Sequence, residues 1–117
     1  MIARYDTVIT RSASLAAGLR PLRAEHRLHL AELRSRLIVP PGSQAAAARP
    51  AHSRPAAARP GRGPAAAISF LQGAERAAAA NLLRHLAAVS PSLAQLMASV
   101  AASEATHVAA LAAAGGG

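Results

Sequence analysis

The sequence predicts an all-α fold: an antiparallel bundle of three full helices preceded by a short helical piece. Three observations carry that reading. Alanine supplies most of the 52% of the chain that is hydrophobic, while aromatics are only 2%. Alanine is the best helix former and fills little core volume, so closely packed helices are favoured over sheets. Apolar residues also recur at helical spacing in three long segments, and no segment shows strand alternation. Clusters of proline and glycine then mark where those segments stop. At 117 residues the chain is one domain at most.

Residues 2–10 form the short piece, with Tyr5 and Val8 as its larger apolar side chains. Ser12 or Ser14 is placed to cap a second helix that has Pro21 within its first turns. Alternatively one long helix bends at Pro21, whose ring removes a backbone hydrogen bond and crowds the preceding turn. Either way, residues 21–38 are the strongest amphipathic stretch of the first half. Leu15, Leu19, Leu22, His26, Leu30, Leu33 and Leu37 line one face. Arg20, Arg23, Arg27 and Arg34 occupy the other side. Val39-Pro40-Pro41-Gly42 then breaks the helix.

Residues 40–64 are low-complexity Ala, Pro and Arg around a lone His52, a composition that reads as a disordered connector. Residues 1–39 and 65–114 are thereby the two halves of one bundle. A third helix is expected over residues 65–89, with Ile68, Leu71, Glu75, Ala79, Leu82, Leu86 and Val89 on one stripe. Gly73 is expected to mark a close helix contact. Ser90 can cap the next helix and Pro91 can open it, a connection so tight that helices three and four form an antiparallel hairpin. The last helix spans residues 92–113 and ends at the glycine tail.

Composition removes several classes of chemistry. Without cysteine there is no disulfide, thiolate metal site or thiol redox motif. All 13 basic residues are arginine, against five acids, and the net charge of +8 favours an acidic partner. With no aromatic platform and no lysine cluster, the nucleic-acid signal is weak. No stretch approaches the roughly 20 strongly apolar residues of a membrane span, because Glu104 and His107 interrupt the alanine-rich end. The first residues lack the basic-then-apolar pattern of a signal peptide, so the chain as written reads as cytoplasmic. No nucleophile elbow is visible, and Pro60-Gly61-Arg62-Gly63-Pro64 opens no strand-to-helix phosphate loop.

The informative residues are polar ones on apolar faces. At about 100° per residue, Leu93, Leu96, Val100, Glu104, His107 and Leu111 share a stripe about 60° wide. Glu104 and His107 therefore point where leucines point. Glu75 is central to the stripe of helix three and His26 to that of helix two, with His29 at its edge. Glu25 and Glu32 fall outside that face and are expected in solvent, although Glu25 and His29 satisfy an i,i+4 pairing. His85 lies off its stripe and is set aside. Glu75 lies about as far before Pro91 as Glu104 and His107 lie after it, so at about 1.5 Å per residue their heights match within a turn. Oxygen and nitrogen donors without sulfur suit a first-row transition metal, here iron, manganese or zinc, held by His26, His29, Glu75, Glu104 and His107. The blander reading is a buried hydrogen-bonded network that fixes helix register in a non-enzymatic interaction module.

Four stretches carry a family resemblance: Ala3-Arg4-Tyr5-Asp6, Pro21-Leu22-Arg23-Ala24-Glu25-His26-Arg27-Leu28-His29-Leu30, Ala74-Glu75-Arg76-Ala77-Ala78 and Ala102-Ser103-Glu104-Ala105-Thr106-His107. In these the chain resembles the ferritin-like superfamily, and more narrowly actinobacterial ferritin-like domain proteins of unknown function. The resemblance implies a four-helix bundle whose di-metal site takes a Glu from each of two helices and Glu-x-x-His from each of the other two. Glu104 and His107 match a Glu-x-x-His, and Glu75 matches a lone Glu. His26 and His29 stand where that pattern has Glu then His, so one carboxylate is replaced. The first helix with its own Glu has no counterpart beyond residues 2–10, where Asp6 is the sole acid and nothing marks it as inward. The resemblance therefore implies a ferritin-like bundle without a full di-iron site, and gives no ground for inferring ferroxidase or iron-storage activity. It further implies self-association through the open first-helix position, or a missing first helix with any export or lipoprotein signal. The remaining reading is an Arg-rich connector that binds nucleic acid or an anionic surface.

Overall fold

The computed structural model describes residues 1–37 and 59–115. Among them are four α-helices and no strand: α1 (Ile2–Arg11), α2 (Ala13–Arg36), α3 (Pro64–Arg84) and α4 (Pro91–Gly115), with a short 3-10 turn at Leu86–Ala88. Most of the connector expected over residues 40–64, with His52, lies outside the described residues. Of that stretch, residues 59–63 lead into α3, and Pro64 is the first residue of the helix.

The chain makes two helical hairpins. Ser12, at φ −137° and ψ 84°, is the one residue between α1 and α2, and it turns α1 back along α2. Tyr5 then faces His26, and Asp6 pairs with Arg23 at 2.6 Å. Arg23 is thus partly covered by α1, whereas the helical period had placed it on the outer side with Arg20, Arg27 and Arg34. Of the two readings of Pro21, the first holds: a second helix starts at Ala13, directly after Ser12, with Pro21 inside it, although the Ser12 side chain makes no capping hydrogen bond.

The second hairpin is also antiparallel by its register. Ile68 lies against Gly115, Gln72 donates to the Val108 carbonyl and Glu75 approaches His107. The Ser90 carbonyl accepts from the Ala94 amide, which starts α4 at Pro91. The third helix is shorter than its apolar stripe suggests. It ends at Arg84, and His85, at φ −99° and ψ 0°, diverts the chain into the 3-10 turn. Gly73 faces open space, so it marks no close contact. The glycine that matters is Gly63, whose φ of +90° is available to few other residues.

The aliphatic core sits at one end of the bundle, where Tyr5, Val8, Leu15 and Leu19 meet Ala67, Ile68, Leu71 and Leu111. α1 is too short to cover the other half of α2. Leu30 and Leu37 are consequently 37% and 51% exposed although they share a stripe with Leu19. An open groove of about 400 Å³ runs there, between Leu30, Leu33, Leu82 and Val100, with His26 and Glu104 at its base.

By length and composition α4 is apolar enough to cross a membrane, with a mean hydropathy of 1.3 over its best window. That corrects the expectation that no stretch comes close. Alanine raises the mean even though Glu104 and His107 interrupt the helix, and both of those residues are buried within the bundle.

Leu71 is fully enclosed and Leu83 on the same helix is 52% exposed. Leu71→Ala should therefore destabilise the protein by about 2–5 kcal/mol, while Leu83→Ala stays within about 0.5 kcal/mol. Urea denaturation midpoints of the two variants check this directly.

Candidate metal centre

Next to the aliphatic end, all four helices send polar side chains into one buried cluster. His26 comes from α2, Glu75 from α3, and Glu104 and His107 from α4; none is more than 5% exposed. Each holds a potential ligand atom within 4.8 Å of the others. Four atoms about 2.1 Å from one ion would lie about 3.4 Å apart, so the cluster is open by about 1 Å and side-chain rotation can close it. The described residues thus contain a buried histidine–glutamate group able to hold a metal ion.

The hydrogen bonds determine which atoms remain free. Tyr5 donates its hydroxyl to Glu75 Oε1 at 2.5 Å, and His26 Nε2 lies 2.8 Å from the same oxygen. His26 Nδ1 is 3.4 Å from Glu104 Oε1. On the far side, His107 Nε2 is 2.9 Å from Glu25 Oε2. Among the described residues, Glu75 Oε2, Glu104 Oε2 and His107 Nδ1 are buried without a hydrogen-bond partner. Each belongs to a residue whose other polar atom is already held. Buried polar atoms are ordinarily satisfied, and these three belong to neighbouring residues of the cluster, His107 Nδ1 lying 3.6 Å from Glu75 Oε1, so one added ion could serve them together.

The charges follow from the same contacts. Burial alone would lower the pKa of His26, but the Glu104 and Glu75 carboxylates outweigh it and push it up to about 9. Burial likewise opposes the charge on His107, and Glu75 with Glu25 reverses the effect, leaving it raised. Burial works against an ionised Glu75, yet His107, His26 and Tyr5 together hold it well below the usual carboxylate range. Glu104 is raised by burial and by its Glu75 neighbour, against the pull of His26. The two carboxyls thus divide their roles, Glu75 ionised and Glu104 retaining its proton more readily. Burial and the adjacent His26 and His107 lower His29.

Of the five residues expected as ligands, the structure gathers His26, Glu75, Glu104 and His107 into the cluster. His29 stands beside it, its ring 6.2 Å from that of His26 and 6.3 Å from that of His107, with Nδ1 also unpartnered among the described residues. It lines the open groove that leads from solvent to His26 and Glu104. Glu25 corrects its sequence reading. It is about half exposed, but its carboxylate reaches over to His107 instead of standing free in solvent. Being about 100° from His26, it sits at the seam between α2 and α4, a position that an apolar stripe cannot flag. Tyr5 was legible only as an apolar residue, because a phenol gives the same periodicity signal as a leucine. Asp6, the only acid of α1, is spent on Arg23 at the surface.

Comparison with protein-family models, with curated proteins and with solved structures finds no match to this chain.

Two outcomes follow for the metal-free protein. His26, His107 and Glu104 all bind protons more tightly folded than unfolded. The histidine contribution is therefore fully present below the unfolded value near 6.5 and is lost as pH rises through the folded value, about 9 for His26. Stability in chelator should fall from pH 6.5 to 9, by roughly 2–3 kcal/mol for His26 alone; urea melts at the two pH values read it, and a flat profile contradicts a protonated His26. Separately, Tyr5→Phe leaves Glu75 Oε1 with one donor fewer. It should cost about 1–2 kcal/mol, whereas His85→Ala at the surface should change the melting temperature little.

Proposed function

We propose that this chain is a transition-metal-binding helical bundle, a reduced member of the ferritin-like type, that holds one ion through His26, Glu75, Glu104 and His107. The carrying observation is the set of three orphaned buried atoms, Glu75 Oε2, Glu104 Oε2 and His107 Nδ1, each on a residue anchored through its other polar atom. Glu25 supports the reading particularly well. A carboxylate on His107 Nε2 fixes the tautomer with the proton outward, which presents Nδ1 as a lone pair toward the cluster. Tyr5 plays the corresponding part for Glu75.

Nitrogen and carboxylate donors without sulfur suit iron, manganese or zinc. Metal entry would use the groove over His26 and Glu104, with His29 at its wall as an additional donor that a rotamer change brings closer. His26 has to give up its extra proton and one carboxylate contact to ligate, so affinity rises with pH. No reaction is assigned to the centre.

A second reading is favoured by one observation. Both ring nitrogens of His26 already face carboxylates, so the cluster also works as a closed proton-sharing network that fixes helix register.

Thermal melting with and without Fe²⁺, Mn²⁺ or Zn²⁺ separates the two. Free metal at about one hundred times its Kd adds about 2.7 kcal/mol, a rise in Tm of about 10 °C or more for a domain of this size. The rise should grow between pH 6.5 and 8 and disappear in Glu104→Ala/His107→Ala. Unchanged melting temperatures across all three titrations would leave the proton network as the function of these residues.

A further inference from the structure

On the outer face of α1 we infer a second, independent site, which takes a small molecule bearing two or more phosphoryl groups. Arg4 and Arg11, two helical turns apart on one side of α1, face Arg59 and Pro60 across a pocket of about 480 Å³. Phe70 forms part of its wall, and the Arg4 guanidinium lies 5.5 Å from the centre of that ring. A smaller cavity of about 190 Å³ adjoins it, sharing Arg11 and Pro60 and adding Arg62 with the entrance to α3.

The electrostatics of this face favour an outside anion. The chain has five side-chain carboxylates, and every one is engaged elsewhere. Asp6 pairs with Arg23, Glu32 with Arg36 and Glu25 with His107, while Glu75 and Glu104 belong to the buried cluster. Four guanidiniums therefore line two connected cavities with no acidic side chain left to neutralise them. Like charges gathered this way raise the local potential and favour a bound anion. The backbone adds to the effect. α3 begins at Pro64 behind Gly63, with no side-chain cap and no acid in its first turn, so its amino end adds partial positive charge beside the smaller cavity. Gly61 is required by the same approach, since a Cβ there would come within 3.0 Å of the Ala66 Cβ.

Arginine forks bind phosphoryl oxygens in pairs, which suits an oligophosphate better than a monovalent anion. The concave outline of the two adjoining cavities, about 480 and 190 Å³, suits a small molecule better than an extended nucleic-acid strand. Phe70 would give a base or other flat group a surface, but the arginines carry the recognition.

The test is calorimetric titration of the full, metal-free chain at about 50 mM NaCl, with tripolyphosphate in one arm and ATP in the other. Binding of either supports the site, and tighter binding of ATP identifies Phe70 as part of it. Arg11→Gln/Arg59→Gln should weaken that binding at least about tenfold. Arg27→Gln/Arg34→Gln removes the same charge from the outer face of α2 and should change it less than about twofold. Equal losses in the two variants reduce the effect to overall charge and overturn the site. Absence of binding in both arms overturns it as well, and so does binding that appears only with a long oligonucleotide.

Discussion

The Glu75 carboxylate is the constraint on which the rest of this bundle depends. It is fully enclosed and held ionised, a state that burial alone strongly disfavours. Its neighbours on other helices must therefore arrive at one height: the Tyr5 hydroxyl from α1, His26 from α2 and His107 from α4. A slip of α1 or α2 by one residue rotates its donor by about 100° away from the carboxylate. The same slip would turn Val8, Leu15 and Leu19 out of the aliphatic end, so packing and the polar centre specify one register together.

The shared role matters because the aliphatic core is small. Tyr5 serves both sides: its ring packs with Val8, Leu15 and Leu19 while its hydroxyl serves Glu75. Among the described residues, α2 has no full-length neighbour on its leucine stripe beyond the polar centre, and Leu30 and Leu37 are exposed. Stability is then carried by one compact apolar end and by a charged centre whose energy depends on protonation and on any ion it takes up. Such a fold couples its stability to solution conditions more directly than a bundle with a continuous leucine core would.

Much of this was legible in the sequence. The four clustered ligand residues stood out because an ionisable side chain at the middle of an apolar stripe can only point inward, and Pro91 fixed the hairpin that sets Glu75 level with Glu104 and His107. Two contributors escaped for definite reasons. Glu25 lies at the seam between helices, where exposure and inward reach depend on how close the neighbouring helix comes. Tyr5 reads as one more apolar residue until a carboxylate is found within reach of its hydroxyl. The end of α3 was overestimated because an apolar period persists through Leu86 and Val89 even though the chain must turn before Pro91. The outer face of Arg4, Arg11, Arg59 and Arg62 was invisible to periodicity, since it joins α1 to a segment far away in sequence.

The charge inventory of the centre bears on how many ions it can hold. A four-helix di-metal site draws a carboxylate from each helix. Here α1 supplies a phenol, which donates to a carboxylate and leaves the centre with no additional negative charge. On α2 His26 takes the place of a carboxylate, and Glu25 is turned to His107 at the rim. Only Glu75 and Glu104 remain as buried negative groups. One divalent ion with those two carboxylates and two neutral imidazoles is electrically balanced, which is the condition for a charged cluster to persist away from water. A second ion would leave two uncompensated positive charges inside a chain whose net charge is already +8. With Tyr5 on α1 and His26 on α2 supplying no carboxylate, the centre would be neutral with a single divalent ion.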